Sequence, residues 1–156
     1  MKRTVAPKTL VAVFVTVFAL GILPRAWAGD HRGCSDASLQ GSFGFTSTGA
    51  LLALGPPLDG PFTEIGRQTF DGRGNTYATA TLSANGNIFR VTVQGTYVVN
   101  PDCAGSMTFS ISPFGTTATA DFVIDDDGAE LRAIITDAGT VESRVYRKQF
   151  TQGCKE

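Results

Sequence analysis

The chain has 156 residues, of which 42% are hydrophobic, and a net charge of −1 at pH 7. Four of its 13 basic residues lie in the first 28 positions, so the remaining 128 residues carry 9 basic and 14 acidic side chains and a net charge of −5. This length predicts one domain, and the acidic balance argues against nucleic acid or an anionic membrane surface as the main partner.

The first 28 residues predict a secretory signal peptide. A basic start precedes an uncharged apolar run over 9–23, and Ala26-Trp27-Ala28 places small residues where a signal peptidase cleaves. The run is shorter than the roughly 20 apolar residues that span a membrane, which favours cleavage before Gly29 over a retained anchor. We therefore expect a signal peptide (1–28) and an exported domain (29–156), periplasmic or extracellular, with no membrane anchor after cleavage.

The exported domain is predicted to be all-β. Segments rich in Thr, Val, Ile, Phe and Tyr alternate with Gly, Asp and Asn clusters, and no convincing helical period follows residue 30. Short turns such as 71–75 and 127–128 make consecutive strands antiparallel neighbours. The eight predicted strands are 39–46, 62–70, 76–83, 88–99, 106–113, 117–125, 130–136 and 140–148.

Eight antiparallel strands leave two unpaired edges unless the sheet closes on itself. We therefore predict a single-domain, closed, up-and-down barrel. A β-sandwich is the alternative, although its Greek-key connections need longer crossovers than most of this chain offers. The longest connection, 47–61, contains an apolar stretch at 50–57. This stretch is interpreted either as a lid over a ligand or as a short strand or flap packed on the barrel end.

The alternation of side chains along the strands assigns an inner face to the barrel. Small residues share this face with aromatic ones, and two interpretations stay open: an interior filled by side chains, which we favour, or a cavity for one small ligand. The residues predicted to line such a cavity are Phe62, Phe70, Val91, Val93, Tyr97, Met107, Phe109 and Phe122.

Glu64 is the candidate catalytic residue, as an interior acid or base. It shares strand parity with Phe62 and Phe70, and burial would raise the pKa of its carboxyl group. The alternative is a solvated position on the strand, because glutamate is rarely buried unpaired. In the last strand, the charged face is most simply the outer one, and it carries Glu142, Arg144 and Tyr146.

No cofactor and no metal site are predicted. The single histidine, His31, lies in a polar terminus, which disfavours a nucleophile pair or a histidine metal site. The acidic run at 125–128 lacks the ligand spacing of a calcium loop and is interpreted as a hairpin turn. The segment 67–74 is not followed by a helix, so it does not match a phosphate-binding loop.

Four motifs carry a resemblance to a known group: the segments 34–45, 70–74, 95–97 and 102–105. Together they resemble a widespread group of exported bacterial proteins of unassigned function. The overall plan is similar to calycin-type barrels and, more loosely, to allene oxide cyclase and dirigent barrels. The resemblance implies a small barrel that binds an apolar molecule or, as in the cyclases, folds a reactive chain so that it closes correctly. It assigns no functional residue here.

Three cysteines, Cys34, Cys103 and Cys154, allow one disulfide and leave one odd thiol. The resembling group carries the first two, which implies a Cys34–Cys103 bridge that would pin the N-terminal arm to the barrel end. Pairing of Cys34 with Cys154 is the rival, since barrel closure brings the two ends of the chain together.

Two functions stay open at this point. The first is a non-enzymatic exported barrel that binds a small apolar molecule or serves as a stable module. The second is a cofactor-free cyclase or isomerase that acts on a hydrophobic substrate through Glu64. An interaction surface on the outer, threonine-rich strand faces is a third interpretation. A cavity with an inward carboxylate or arginine would favour the enzyme, and purely apolar walls would favour the binder.

Overall fold

The structure, a computed structural model, describes residues 33–149. The predicted signal peptide and its cleavage site, His31 and Cys154 lie outside these residues. None of the helices within 33–149 is long and apolar enough to cross a membrane. Two 3₁₀ helices, Asp36–Leu39 and Asp126–Gly128, accompany eight strands: β1 (Gly41–Leu51), β2 (Gly60–Phe70), β3 (Asn75–Ala84), β4 (Asn87–Val99), β5 (Ala104–Ser112), β6 (Thr116–Asp125), β7 (Glu130–Ile135) and β8 (Thr140–Lys148).

The eight strands form one closed antiparallel barrel in sequence order. β1 pairs with β2 on one side and with β8 on the other, so that Phe45 stands opposite Gly66 and also opposite Tyr146. Each β1 residue from Phe43 to Leu51 thus has a partner on both sides, and no free sheet edge remains. The predicted up-and-down barrel is confirmed, and the sandwich alternative is wrong.

The first strand is longer than predicted. Residues 47–51 continue β1, because they pair both with the start of β2 and with the start of β8. The connection between β1 and β2 therefore shrinks to 52–59. In this loop Leu52 and Leu54 are exposed, while Leu58 packs against the core. The apolar stretch is thus partly a strand continuation and partly an exposed loop, and its leucines at 52 and 54 do not cover the barrel.

Aromatic side chains fill one half of the barrel, which we call the lower half: it contains the start of β1 and the end of β8. The Phe70 ring packs edge-on against Phe43 at 5.4 Å and against Tyr97 at 5.1 Å between ring centroids. Tyr146 lies 6.3 Å from Phe70 and is completely buried. Such edge-to-face packing adds to the apolar area buried, so the lower half is a solid core.

The first 3₁₀ helix is fastened to the lower end of the barrel. Its Leu39 is completely buried in the core. The Tyr97 hydroxyl donates to the Asp36 carbonyl at 3.0 Å, and the Asp36 carboxylate accepts from the Val99 N–H at 2.8 Å. These bonds tie the helix to β4.

Cys34 and Cys103 form a disulfide next to this helix, with Cα atoms 4.9 Å apart and a sequence separation of 69. Cys103 lies in the turn between β4 and β5, where its φ of 67° places it in the left-handed region. The predicted pairing is confirmed, and the rival Cys34–Cys154 pairing is wrong. The bridge anchors the chain segment that precedes the 3₁₀ helix.

The eight side chains predicted to face the interior are all buried: Phe62, Phe70, Val91, Val93, Tyr97, Met107, Phe109 and Phe122. Alternation along β4, β5 and β6 therefore assigned the correct face. Whether these residues line a ligand cavity stays a prediction.

Candidate functional site

Three charged side chains meet inside the barrel: Glu64 from β2, and Glu142 and Arg144 from β8. We call them the interior charge cluster. Their side chains are between 5% and 7% exposed. β1 runs between the two contributing strands and places Ser47 opposite both Glu64 and Arg144. The interior position expected for Glu64 is therefore present, while its catalytic role stays a prediction.

The expected orientation of β8 is wrong. Glu142, Arg144 and Tyr146 point into the barrel, and Val141 and Val145 are exposed instead. The alternation along the strand was correct, but its two faces were exchanged. The reason is long-range pairing: Arg144 meets a carboxylate supplied by β2, which reduces the cost of burying its charge.

The Arg144 guanidinium is held on its edges by the two acids. Its Nη2 lies 2.9 Å from Glu64 Oε2, and its Nε donates to Glu142 Oε1. Its central carbon lies over the Phe45 and Phe109 rings, at 5.2 and 5.5 Å from their centroids. Charge-assisted contacts and cation–π contacts together fix this cation in one position.

Part of the polar capacity of the cluster is unused. The Ser47 hydroxyl donates to Glu64 Oε2 at 3.2 Å, so both contacts of Glu64 fall on one oxygen. Glu142 likewise uses only Oε1. Among residues 33–149, Tyr146 Oη is the single sealed side-chain nitrogen or oxygen that lacks a hydrogen-bond partner. Glu64 Oε1 and Glu142 Oε2 also lack a protein partner among these residues, but they are not sealed. Each of these two oxygens therefore borders space that water can reach.

Burial governs the ionisation of this cluster. It raises the pKa of Glu64; the Arg144 charge and the Ser47 hydrogen bond oppose the rise, and the Glu142 charge adds to it. Burial also raises the pKa of Tyr146. Burial lowers the pKa of Arg144, but the electrostatic effects of Tyr146, Glu64 and Glu142 raise it by more. The pKa of Arg144 is therefore raised overall, and the guanidinium stays charged.

Glu64 is expected to make stability depend on pH. Because its pKa is higher in the folded barrel than the ordinary 4.5, the folded state holds the proton more tightly than the unfolded state. Its contribution to stability is therefore present below pH 4.5 and is lost as pH rises through the folded pKa. Urea unfolding from pH 4 to pH 8 should show Glu64→Gln gaining stability relative to wild type as pH rises. A pH-independent difference between the two proteins would contradict this.

Small exposed fractions occur in both halves of the barrel: Val99 in the lower half is 8% exposed, and Ala84 in the upper half has no exposed surface. Leu39, Phe43, Leu131 and Tyr146 of the lower half have no exposed surface. Around the cluster, small exposed fractions of 6–9% remain on Leu51, Phe62, Leu82 and Ile135. Phe89 and Phe114 pack against each other at 5.3 Å at the upper rim and are only partly buried. The charge cluster is thus surrounded by side chains that are buried but not completely sealed.

A groove of about 670 Å³ lies on the outer wall, away from the charge cluster. Outward side chains of β5, β6 and β7 line it, including Ser106, Asp121 and Ile134, with Phe122 behind them. Of the residues predicted for a ligand cavity, only Phe122 borders this groove, which therefore differs from the interior site.

The acidic run at 125–128 forms the second 3₁₀ helix and the turn before β7, where Asp126 and Asp127 both adopt a φ of 51°. Across residues 33–149, no three His, Cys, Asp or Glu side chains are grouped as metal ligands. This segment therefore has the turn role expected from its sequence.

Ser47, Glu142 and Arg144 are the site residues that sequence reasoning missed. A usable signal existed, because an inward Glu64 needs a cation and Arg144 is two positions from Tyr146, an aromatic residue suited to a core. The need for a cation beside Glu64 would have predicted that the face of β8 with Glu142, Arg144 and Tyr146 points into the barrel.

No family model matches the sequence, and no curated protein matches it significantly. A solved structure described as a redesigned β-barrel is similar to this chain, with a TM-score of 0.53 and 14% sequence identity. The match covers 73% of this chain and 94% of the other. At this identity the likeness shows the fold alone, and this protein is a small, closed, eight-stranded antiparallel β-barrel.

Proposed function

We propose that this protein is an exported barrel that binds a small, mainly apolar molecule in its upper half, with the molecule's polar group at the interior charge cluster. The observation that carries the proposal is the buried Glu64–Arg144–Glu142 cluster beside accessible space. Replacing a buried ion network by apolar side chains is often neutral or stabilising. The buried polar side chains of the lower half, Gln68 and Thr76, are neutral and bonded to each other at 2.8 Å. Buried charges in the upper half therefore favour a role in recognition over a role in stability.

Export is supported by the sequence pattern of residues 1–28 and by the Cys34–Cys103 bridge. Disulfides persist in oxidising compartments and are rare in the cytosol. The bridge is therefore consistent with a periplasmic or extracellular location.

A cofactor-free cyclase or isomerase is the second candidate function, and one observation favours it. A carboxyl group with a raised pKa, Glu64, lies 2.9 Å from a permanent cation, Arg144. Glu64 could transfer a proton while Arg144 stabilises negative charge that develops on a carbonyl oxygen. The ligand would then leave the barrel chemically changed.

The test starts from protein exported by its own host and purified without organic solvent. Native mass spectrometry should show an added small mass on the wild-type barrel, lower occupancy in Glu64→Gln, and wild-type occupancy in Glu130→Gln. Glu130 is the matched control, because it pairs with Arg147 on the outer face. A bare barrel that also fails to bind a neutral apolar dye would overturn the proposal. Recovery of a chemically altered compound after incubation would favour the enzyme.

A further inference from the structure

We infer that the polar group of the ligand is a cation, the ammonium of a lipophilic amine, held between the unused carboxylate oxygens of Glu64 and Glu142. This inference rests on the proposed function and specifies the class of molecule that the upper half of the barrel takes.

The first step is the charge count. In the upper half of the described barrel, the inward charged groups are Glu64, Glu142 and Arg144, two acids and one base. Lys148 is remote from them, at the lower end of β8 over the Phe43 ring. With both carboxylates ionised, the cluster has an excess of one negative charge, which is costly for groups that are mostly buried. Either a proton on Glu64, whose pKa burial raises, or a bound cation removes this excess. A monovalent cation would balance this charge, whereas an anion would double the imbalance.

The second step is the geometry of Arg144. Its Nε and Nη2 face the two carboxylates, and its central carbon lies over two phenylalanine rings. A ligand carboxylate could reach the guanidinium only through Nη1 and the remaining N–H of Nη2, and it would bring a further negative charge beside Glu64 and Glu142.

The third step is the supply of acceptors. An ammonium has three N–H donors, and the cluster offers Glu64 Oε1 and Glu142 Oε2, neither of which has a protein partner among the described residues. The Tyr146 hydroxyl, on the inner face of β8 beside Arg144, is a further polar atom near the cluster that has no hydrogen-bond partner among the described residues. Leu51, Phe62 and Leu82 supply the apolar surface for the rest of the molecule.

The test is a series of three probes with the same eight-carbon chain: octylamine, octanoic acid and octan-1-ol. Their affinities for the wild-type protein at pH 7 are measured by titration calorimetry and by competition in native mass spectrometry. We expect octylamine to bind at least about tenfold more tightly than octanoate, a difference of about 1.4 kcal/mol. Glu64→Gln should weaken octylamine by about tenfold and leave octanol unchanged, and Glu130→Gln should alter neither.

The outcomes separate this inference from the proposed function. Octanoate binding as tightly as octylamine, or unchanged octylamine affinity in Glu64→Gln, would overturn the amine class while leaving a binding barrel. If none of the three probes bound to the wild-type protein, both the amine class and the proposed binding function would be overturned. Far-UV circular dichroism verifies that Glu64→Gln is folded, and Glu142→Gln provides a second variant of the same cluster with the same expected loss.

Discussion

Arg144→Met is expected to lower the free energy of unfolding by about 3–5 kcal/mol, because it leaves two buried carboxylates without their cation. Glu64 and Glu142 are 6% and 7% exposed, so the little water that reaches them replaces only part of the stabilisation that the guanidinium provides. Urea unfolding followed by far-UV circular dichroism measures the change. Tryptophan fluorescence is unsuitable, since the single tryptophan, Trp27, lies in the predicted signal peptide.

Arg132→Met is the matched control for this loss of charge. Arg132 pairs with Asp125 at 2.7 Å on the outer wall, with 58% of its side chain exposed. Exposed pairs are screened by water and contribute little, so this variant should remain close to wild type. A triple variant, Glu64→Leu, Glu142→Leu and Arg144→Met, should recover most of the stability that Arg144→Met loses. If Arg144→Met and Arg132→Met lowered the free energy of unfolding equally, Arg144 would not stabilise the fold by neutralising the buried carboxylates.

Removal of the disulfide by Cys34→Ser with Cys103→Ser is expected to destabilise the barrel by about 4 kcal/mol. The bridge closes a loop of 69 positions, and cross-linking a loop of this length removes much of the entropy of the unfolded chain. Thermal unfolding of the double variant should match that of reduced wild type.

Cys154→Ser is the control for the disulfide. It leaves the Cys34–Cys103 bridge intact, so its unfolding should still shift when a reductant is added. If Cys154→Ser abolished the difference between oxidised and reduced protein, the assigned pairing would be wrong in solution.

The barrel was predictable because its determinants are local. Turn residues such as Asn85-Gly86 and the alternation along β4 specify hairpins, and a chain of eight hairpin-linked strands closes to remove its edges. The end of β1 was not predictable in this way. Gly49 and Ala50 have weak strand preference, and their pairing with β2 and β8 comes from residues far away in sequence.

The candidate site was only half predictable for a related reason. Strand parity made an interior position possible for Glu64, on the same face as the core residues Phe62 and Phe70, but it did not exclude a solvated position. The same parity gave no direction for β8, where one face offers two valines and the other offers charges beside a tyrosine. The inward face of β8 goes with the ion pair between Arg144 and Glu64 of β2, and only a rule that links residues far apart in sequence contains that information.

Barrel closure has a consequence for how the chain folds. β1 and β8 meet with Phe43 opposite Lys148, so the last ladder joins residues 105 positions apart. With the disulfide formed, a shorter path joins Phe43 to Lys148: nine positions from Phe43 back to Cys34, then the bridge, then 45 positions from Cys103 to Lys148. This path is about half as long as the direct one along the chain. Halving a flexible loop saves about 0.6 kcal/mol of closure entropy. In the oxidised chain, the pairing of β1 with β8, which joins residues far apart in sequence, therefore requires closure of a shorter loop. The first and last strands then spend less time as open edges that other chains could pair with.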